Sequence, residues 1–198
     1  MEADMPAGYR PAAEPNAVAT AVLAKSDWAV LALTLHIELF TQAHYRASIS
    51  AEADICELWR DVFLFHWKEE SQHAVLDELE FLSADARLTA TQRDAAIGDL
   101  IDLVGAVDGI LQAQAAADAA YFLWAAWGDF SATERDAIAA TFLKAYRWQY
   151  IVSGVMQPRF QKVLFRTMNP GQVQRINDAL APLFSAAPAE ASRMVETS

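Results

Sequence analysis

His66, Glu70, His73 and Asp77 follow one another at spacings of four, three and four residues. Each residue of an α-helix advances about 100°, so the four fall within one narrow stripe, two imidazoles and two carboxylates on a single face. The inner pair reads Glu70-Ser71-Gln72-His73, an E-x-x-H step that lets one carboxylate and one imidazole converge on a cation inside a helical bundle. A hard oxygen beside a borderline nitrogen suits iron, with manganese as the alternative. Upstream, Glu38 lies on the stripe Leu31, Thr34, Glu38, Gln42 and Tyr45, where a carboxylate is costly unless something pairs with it. A chain reversal near Asp54 would bring Glu38 level with Glu70 on two antiparallel helices, and the two could then share one metal.

The elements that must position these residues are helices. Hydrophobic residues make up 54% of the chain while Gly and Pro number 7 each, a composition that favours an all-α fold. Ser26 can cap a first helix to about Ser48, and a second runs from about Ala53 to Leu82 with Leu58, Val62, Phe65, Leu76 and Leu79 expected in the core. Thr89 with Gln92 forms a capping-box pattern that opens a third helix reaching Trp127, and Ser131 with Glu134 opens a fourth to about Met156, before Pro158. Asn169-Pro170 starts a short C-terminal helix ending near Leu183. One domain, 17–186, is expected, with a flexible N-terminal arm over 1–16, where Pro6, Gly8, Pro11 and Pro15 oppose regular helix, and a frayed tail over 187–198.

These motifs carry a resemblance. "LHIELF…HWKEESQH" resembles half of the ferritin-like di-iron carboxylate signature, a lone Glu on one helix and E-x-x-H on the next. More loosely, "TLHIELFTQAHY", "FHWKEESQHA" and "RWQYIVSGVMQPRF" resemble the C-terminal half of longer ferritin-like proteins. The resemblance implies a ferritin-like four-helix bundle of long helices, with Glu38, Glu70 and His73 as metal ligands. It also implies a centre that binds or activates dioxygen, acting on a small organic substrate.

The second half of that signature is missing, because no E-x-x-H occurs on the third or fourth helix. Asp118, on a face with Val104, Val107, Leu111, Gln114 and Phe122, is the best substitute carboxylate, with Gln114 as its hydrogen-bond partner. The level opposite Asp118 reads Tyr146-Arg147-Trp148-Gln149-Tyr150, where a cationic Arg147 would repel a metal and is expected to pair with Asp118 instead. Three outcomes stay open: a mononuclear centre on Glu38, Glu70 and His73 that His66 can join, a dinuclear centre completed across a homodimer, and a metal-free relic. In the last case the chain is a non-catalytic bundle serving protein–protein contacts or ligand carriage. No catalytic residue and no organic cofactor site is assigned.

Charge and motifs exclude other classes. Fifteen Lys and Arg against 26 Asp and Glu leave a net charge of -11, which repels a phosphate backbone and an anionic membrane alike, so neither nucleic acid nor membrane is expected as a partner. The greasy stretch from Trp28 to Phe40, interrupted by Thr34, His36 and Glu38, falls short of the ~20 apolar residues that a span requires. Cys56 is the only cysteine, which excludes an intrachain disulfide and fits a reducing compartment; its expected role is packing. The opening residues lack the basic-then-apolar order of a leader, and a cytoplasmic location is expected. Phosphate loops, nucleophile elbows and basic-aromatic strips are absent. His36 and His44 point away from Glu38 and read as packing or surface residues, Glu69 as the solvent neighbour of Glu70, and Tyr45 as a core tyrosine or a hydrogen-bonding group beside the metal.

Overall fold

The computed structural model describes residues 9, 11–50 and 54–186. The described chain is helical, with no strand among the described residues. Helix α1 spans Pro15–Leu23. Helix α2, Asp27–His44, runs on into a π-helical turn at Tyr45–Ile49. Then come α3, Glu57–Asp85, α4, Ala90–Ala125, and α5, Ala132–Arg147, which continues through a π-helical turn at Trp148–Val152 and a last turn at Ser153–Val155. Helices α6, Pro158–Phe165, and α7, Pro170–Leu180, precede a 3-10 segment at Ala181–Ala186. None of the helices is long and apolar enough to cross a membrane.

Local signals explain most boundaries. Thr89 and Ser131 form reciprocal capping boxes with Gln92 and Glu134, so two orphan N–H groups of each helix end are satisfied by side chains. Asn169 does the same with Gln172 ahead of Pro170, whose fixed φ suits a first helical turn. Ser26 precedes α2 without a side-chain cap bond; its backbone N–H donates to Asp99 Oδ2 at 3.1 Å. Helix α1 begins at Pro15, inside the stretch expected as an arm. Tyr9 and Ala12 are tied to Gln114 of α4, at 3.1 Å and 2.8 Å. Residues 1–8, and the tail expected over 187–198, lie outside the described residues.

Helix α2 is the spine of the core. Trp28, Ala29, Ala32, Leu35 and Leu39 are buried, packed against Phe81 of α3, Ile97 and Leu100 of α4 and Val163 of α6. Trp28 meets the Phe81 ring at 5.0 Å and donates through Nε1 to Asp85 Oδ1, an acceptor that Arg93 also engages through both Asp85 oxygens. That group clamps the α3–α4 turn. Helices α2 and α3 run antiparallel, with Trp28 beside Phe81 at one end and Tyr45 stacked on Trp67 toward the other. Helices α4 and α5 form a second antiparallel pair, through Phe122 with Phe142 and Asp108 with Arg147.

Two packing expectations are corrected. Leu58, Val62, Phe65, Leu76 and Leu79 are exposed rather than in the core. Helix α3 carries two apolar stripes about 100° apart, and the one that turns inward is Phe63, Trp67, Ala74 and Phe81, in register with Glu70 and Asp77. The choice follows from the α2 surface, which accepts that face. Cys56, at the N-terminal edge of α3, is exposed and does not pack in the core. Gly154 marks a tight approach to α2: a Cβ there would lie 2.5 Å from His36 Nε2 and 3.0 Å from Phe40 Cβ.

Candidate metal centre

Antiparallel packing of α2 on α3 brings Glu38, Glu70 and His73 together, with one ligand atom from each lying within 4.8 Å of the others. Among the described residues this is the group of three that meets that test; His66 and Asp118 fall outside it. Glu70 rather than Glu69 faces α2, since the Glu70 side chain is 15% exposed and Glu69 points to solvent. His73 Nδ1 is 2.7 Å from Glu70 Oε2, and His66 Nδ1 is 3.1 Å from Glu70 Oε1. The two imidazoles grip one carboxylate from successive turns of the same helix. Gln42, one turn beyond Glu38, reaches the Glu70 carbonyl at 3.4 Å.

Electrostatics in this pocket are poised for a positive charge. Glu38 Oε2 is buried and has no hydrogen-bond donor facing it among the described residues, and the same holds for Asp77 Oδ2. Burial first, then the contact with the Glu70 carboxylate and the charge of Asp77, hold the Glu38 carboxyl well above the usual carboxylate range. Glu70 moves the opposite way, held down by the Glu38 carboxyl proton and by His73 and His66. Two carboxylates in contact disfavour ionising together, and a proton or a cation between them relieves that repulsion. Two carboxylate oxygens and one imidazole nitrogen, with an orphaned buried oxygen among them, fit iron or manganese.

The second half-site is not organised for metal. Arg147 pairs with Asp108 rather than with Asp118: Nε donates to Oδ1 at 2.6 Å and Nη2 to Oδ2 at 2.8 Å, with Gln112 as a further donor. Asp108 shares the stripe of Leu111, Ala115 and Asp118 along α4, one helical step that the sequence reading passed over. Asp118 instead accepts from Gln114 Nε2 at 2.9 Å and from the Tyr146 hydroxyl. Burial and that bond push the Tyr146 phenol above its ordinary range, so it stays a donor. Tyr45 stacks on Trp67 at 5.2 Å.

On the far side of α2, about 200° around the helix from Glu38, a cavity of about 720 Å³ opens between α2, α4, the end of α5, α6 and α7. Ala32, Val104, Ile151, Phe160, Leu164 and Ile176 line it, and none of the described residues that line it is an acid, a lysine or an arginine. His36 also lies on its wall. The ring is buried, its Nε2 faces the Ile151 carbonyl at 2.8 Å and so carries the hydrogen, and burial lowers its pKa to about 4. His36 is thus a neutral packing residue, as its position relative to Glu38 implies. His44 is half-buried and packs edge-on against Phe63. No protein-family model, curated protein or solved structure matches this chain.

Proposed function

We propose that this chain is a ferritin-like metal protein that holds one iron or manganese ion between α2 and α3 through Glu38, Glu70 and His73, and serves an oxygen-dependent oxidation of a small organic molecule. The observation that carries the reading is the meeting of those three side chains, beside a buried Glu38 oxygen that faces no donor among the described residues. Iron held by Glu38, Glu70 and His73 would supply the redox chemistry of such an oxidation. Glu38 and Glu70 provide the negative charge that holds the ion, and His66 orients the Glu70 carboxylate from the preceding turn. Apolar side chains around α2 exclude water from its inner side.

Anaerobic loading with ferrous iron, followed by elemental analysis, tests the site. Wild type should retain about one metal per chain. Glu70→Ala and His73→Ala should each lose it while helical circular dichroism stays nearly intact. Unchanged metal content in both variants, or none in wild type, refutes the centre; an oxygen electrode run on the loaded protein with candidate substrates tests the oxidation.

A second reading, ligand carriage without redox chemistry, draws on the uncharged cavity behind α2 and on Arg147 at the level where a second metal would sit. It calls for an uncharged apolar ligand, because the described lining residues offer no ion partner. Binding of a neutral fluorescent apolar probe that Val104→Trp abolishes would support it, and absence of binding to wild type would refute it.

A further inference from the structure

The outward stripe of α3 has the form of a helix-pairing seam. Leu58, Val62, Phe65, Leu76 and Leu79 alternate in steps of four and three, with Glu69 and Gln72 occupying the two middle positions. Alternation of this kind keeps one stripe facing a partner helix. Leu58 is 71% exposed, Phe65 65% and Leu79 62%, and Trp59 and Val75 widen the strip. Together they expose on the order of 800 Å² of apolar surface per copy, above the ~300–600 Å² patch usual on a monomer and close to what one partner contributes to a stable interface. Nothing among the described residues covers it.

We propose that a second copy of this chain covers the strip, its α3 packed antiparallel on the first about a two-fold axis between Glu69 and Gln72. The polar centre decides the direction. A parallel pair would set Glu69 against the partner's Glu69, two carboxylates in an otherwise apolar seam. The antiparallel pair sets Glu69 against the partner's Gln72, whose amide donates to the carboxylate, once on each side of the axis. The same register stacks Phe65 on the partner's Leu76 and Val62 on the partner's Leu79, so apolar pairs flank the polar centre on both sides, and Leu58 lies at the end of the seam. A self-complementary patch of this kind closes after two copies.

Register has a consequence for the metal centre. The His66 and His73 side chains are 47% and 50% exposed and flank the seam on one edge, each one position along from a seam residue. Antiparallel pairing brings the partner's His66 roughly level with His73. Each centre then gains an imidazole from the other chain and loses its open edge to water. The dimer stands without any metal; this shared edge rests on the proposed metal reading.

Sedimentation equilibrium of the full chain should give twice 21.8 kDa at micromolar concentration. Phe65→Glu with Leu76→Glu, both at exposed positions and so tolerated by the monomer fold, should weaken association by on the order of a hundredfold or more. A mass of 21.8 kDa up to high concentration, or a dimer untouched by that double substitution, overturns the proposal. Direction is read by oxidative cross-linking in a Cys56→Ser background: Val62→Cys should join Leu79→Cys in a mixture, and neither should join itself. Self-joining of both overturns the antiparallel arrangement. Metal content separates the two ideas, since a monomer with Glu70-dependent metal overturns the dimer alone, whereas a dimer without metal overturns the centre alone.

Discussion

Replacing Arg147 by methionine is expected to destabilise the fold by about 3 kcal/mol at pH 7, the lower end of what breaking a buried ion pair costs. Asp108 is 9% exposed and both its oxygens accept from the Arg147 guanidinium at 2.6 Å and 2.8 Å. At this separation the attraction is worth ~5 kcal/mol in a protein of effective dielectric 20, and desolvation of both groups cancels most of it. Removal of the cation leaves the desolvation of Asp108 uncompensated, softened by the Gln112 donor at 2.7 Å. The double substitution Asp108→Leu with Arg147→Met removes both charges and should recover most of the loss. Arg147 first, then Gln112, holds the Asp108 carboxyl below its usual range. The pair therefore contributes stability above the unfolded value of about 3.9, and that contribution fades as pH falls through the lower folded value. In Arg147→Met the sign reverses, because a buried lone carboxylate titrates upward and acidification relieves it. Urea unfolding followed by helical circular dichroism measures the cost at pH 7, its relief in the variant on acidification, and the wild-type loss below about pH 3.9. A single-substitution cost under about 1 kcal/mol at pH 7, or a double variant no more stable than the single, would show that Asp108 is not dependent on its partner.

Other positions give independent checks. Gly154→Ala should cost about 1–3 kcal/mol, since its Cβ would fall 2.5 Å from His36 Nε2; an unchanged denaturation midpoint would contradict the close approach. Trp127, at a φ of 50° and 92% exposed, holds a left-handed conformation just past α4, so Trp127→Gly should raise stability by about 1 kcal/mol in the same assay. Ser131→Ala removes the capping acceptor for the Glu134 N–H and should lower stability by about 1 kcal/mol, with no change if the cap is idle.

The sequence by itself determined the all-helical class, the two capping boxes at Thr89 and Ser131, and the convergence of Glu38 with Glu70 and His73. Each of these depends on spacing along one helix or on equal distances from one chain reversal, quantities that a linear string contains. Which apolar stripe of α3 turns inward was settled only by tertiary structure, because both stripes share helical periodicity and the fit to α2 selects between them. Partner choice among charges was decided the same way. Arg147 had two acidic residues, Asp108 and Asp118, on one face of α4, and the stagger between α4 and α5 gave it Asp108 and left Asp118 to Tyr146. The cavity behind α2 likewise arises from side chains of five separate helices, and its volume depends on distances between elements that no local pattern specifies.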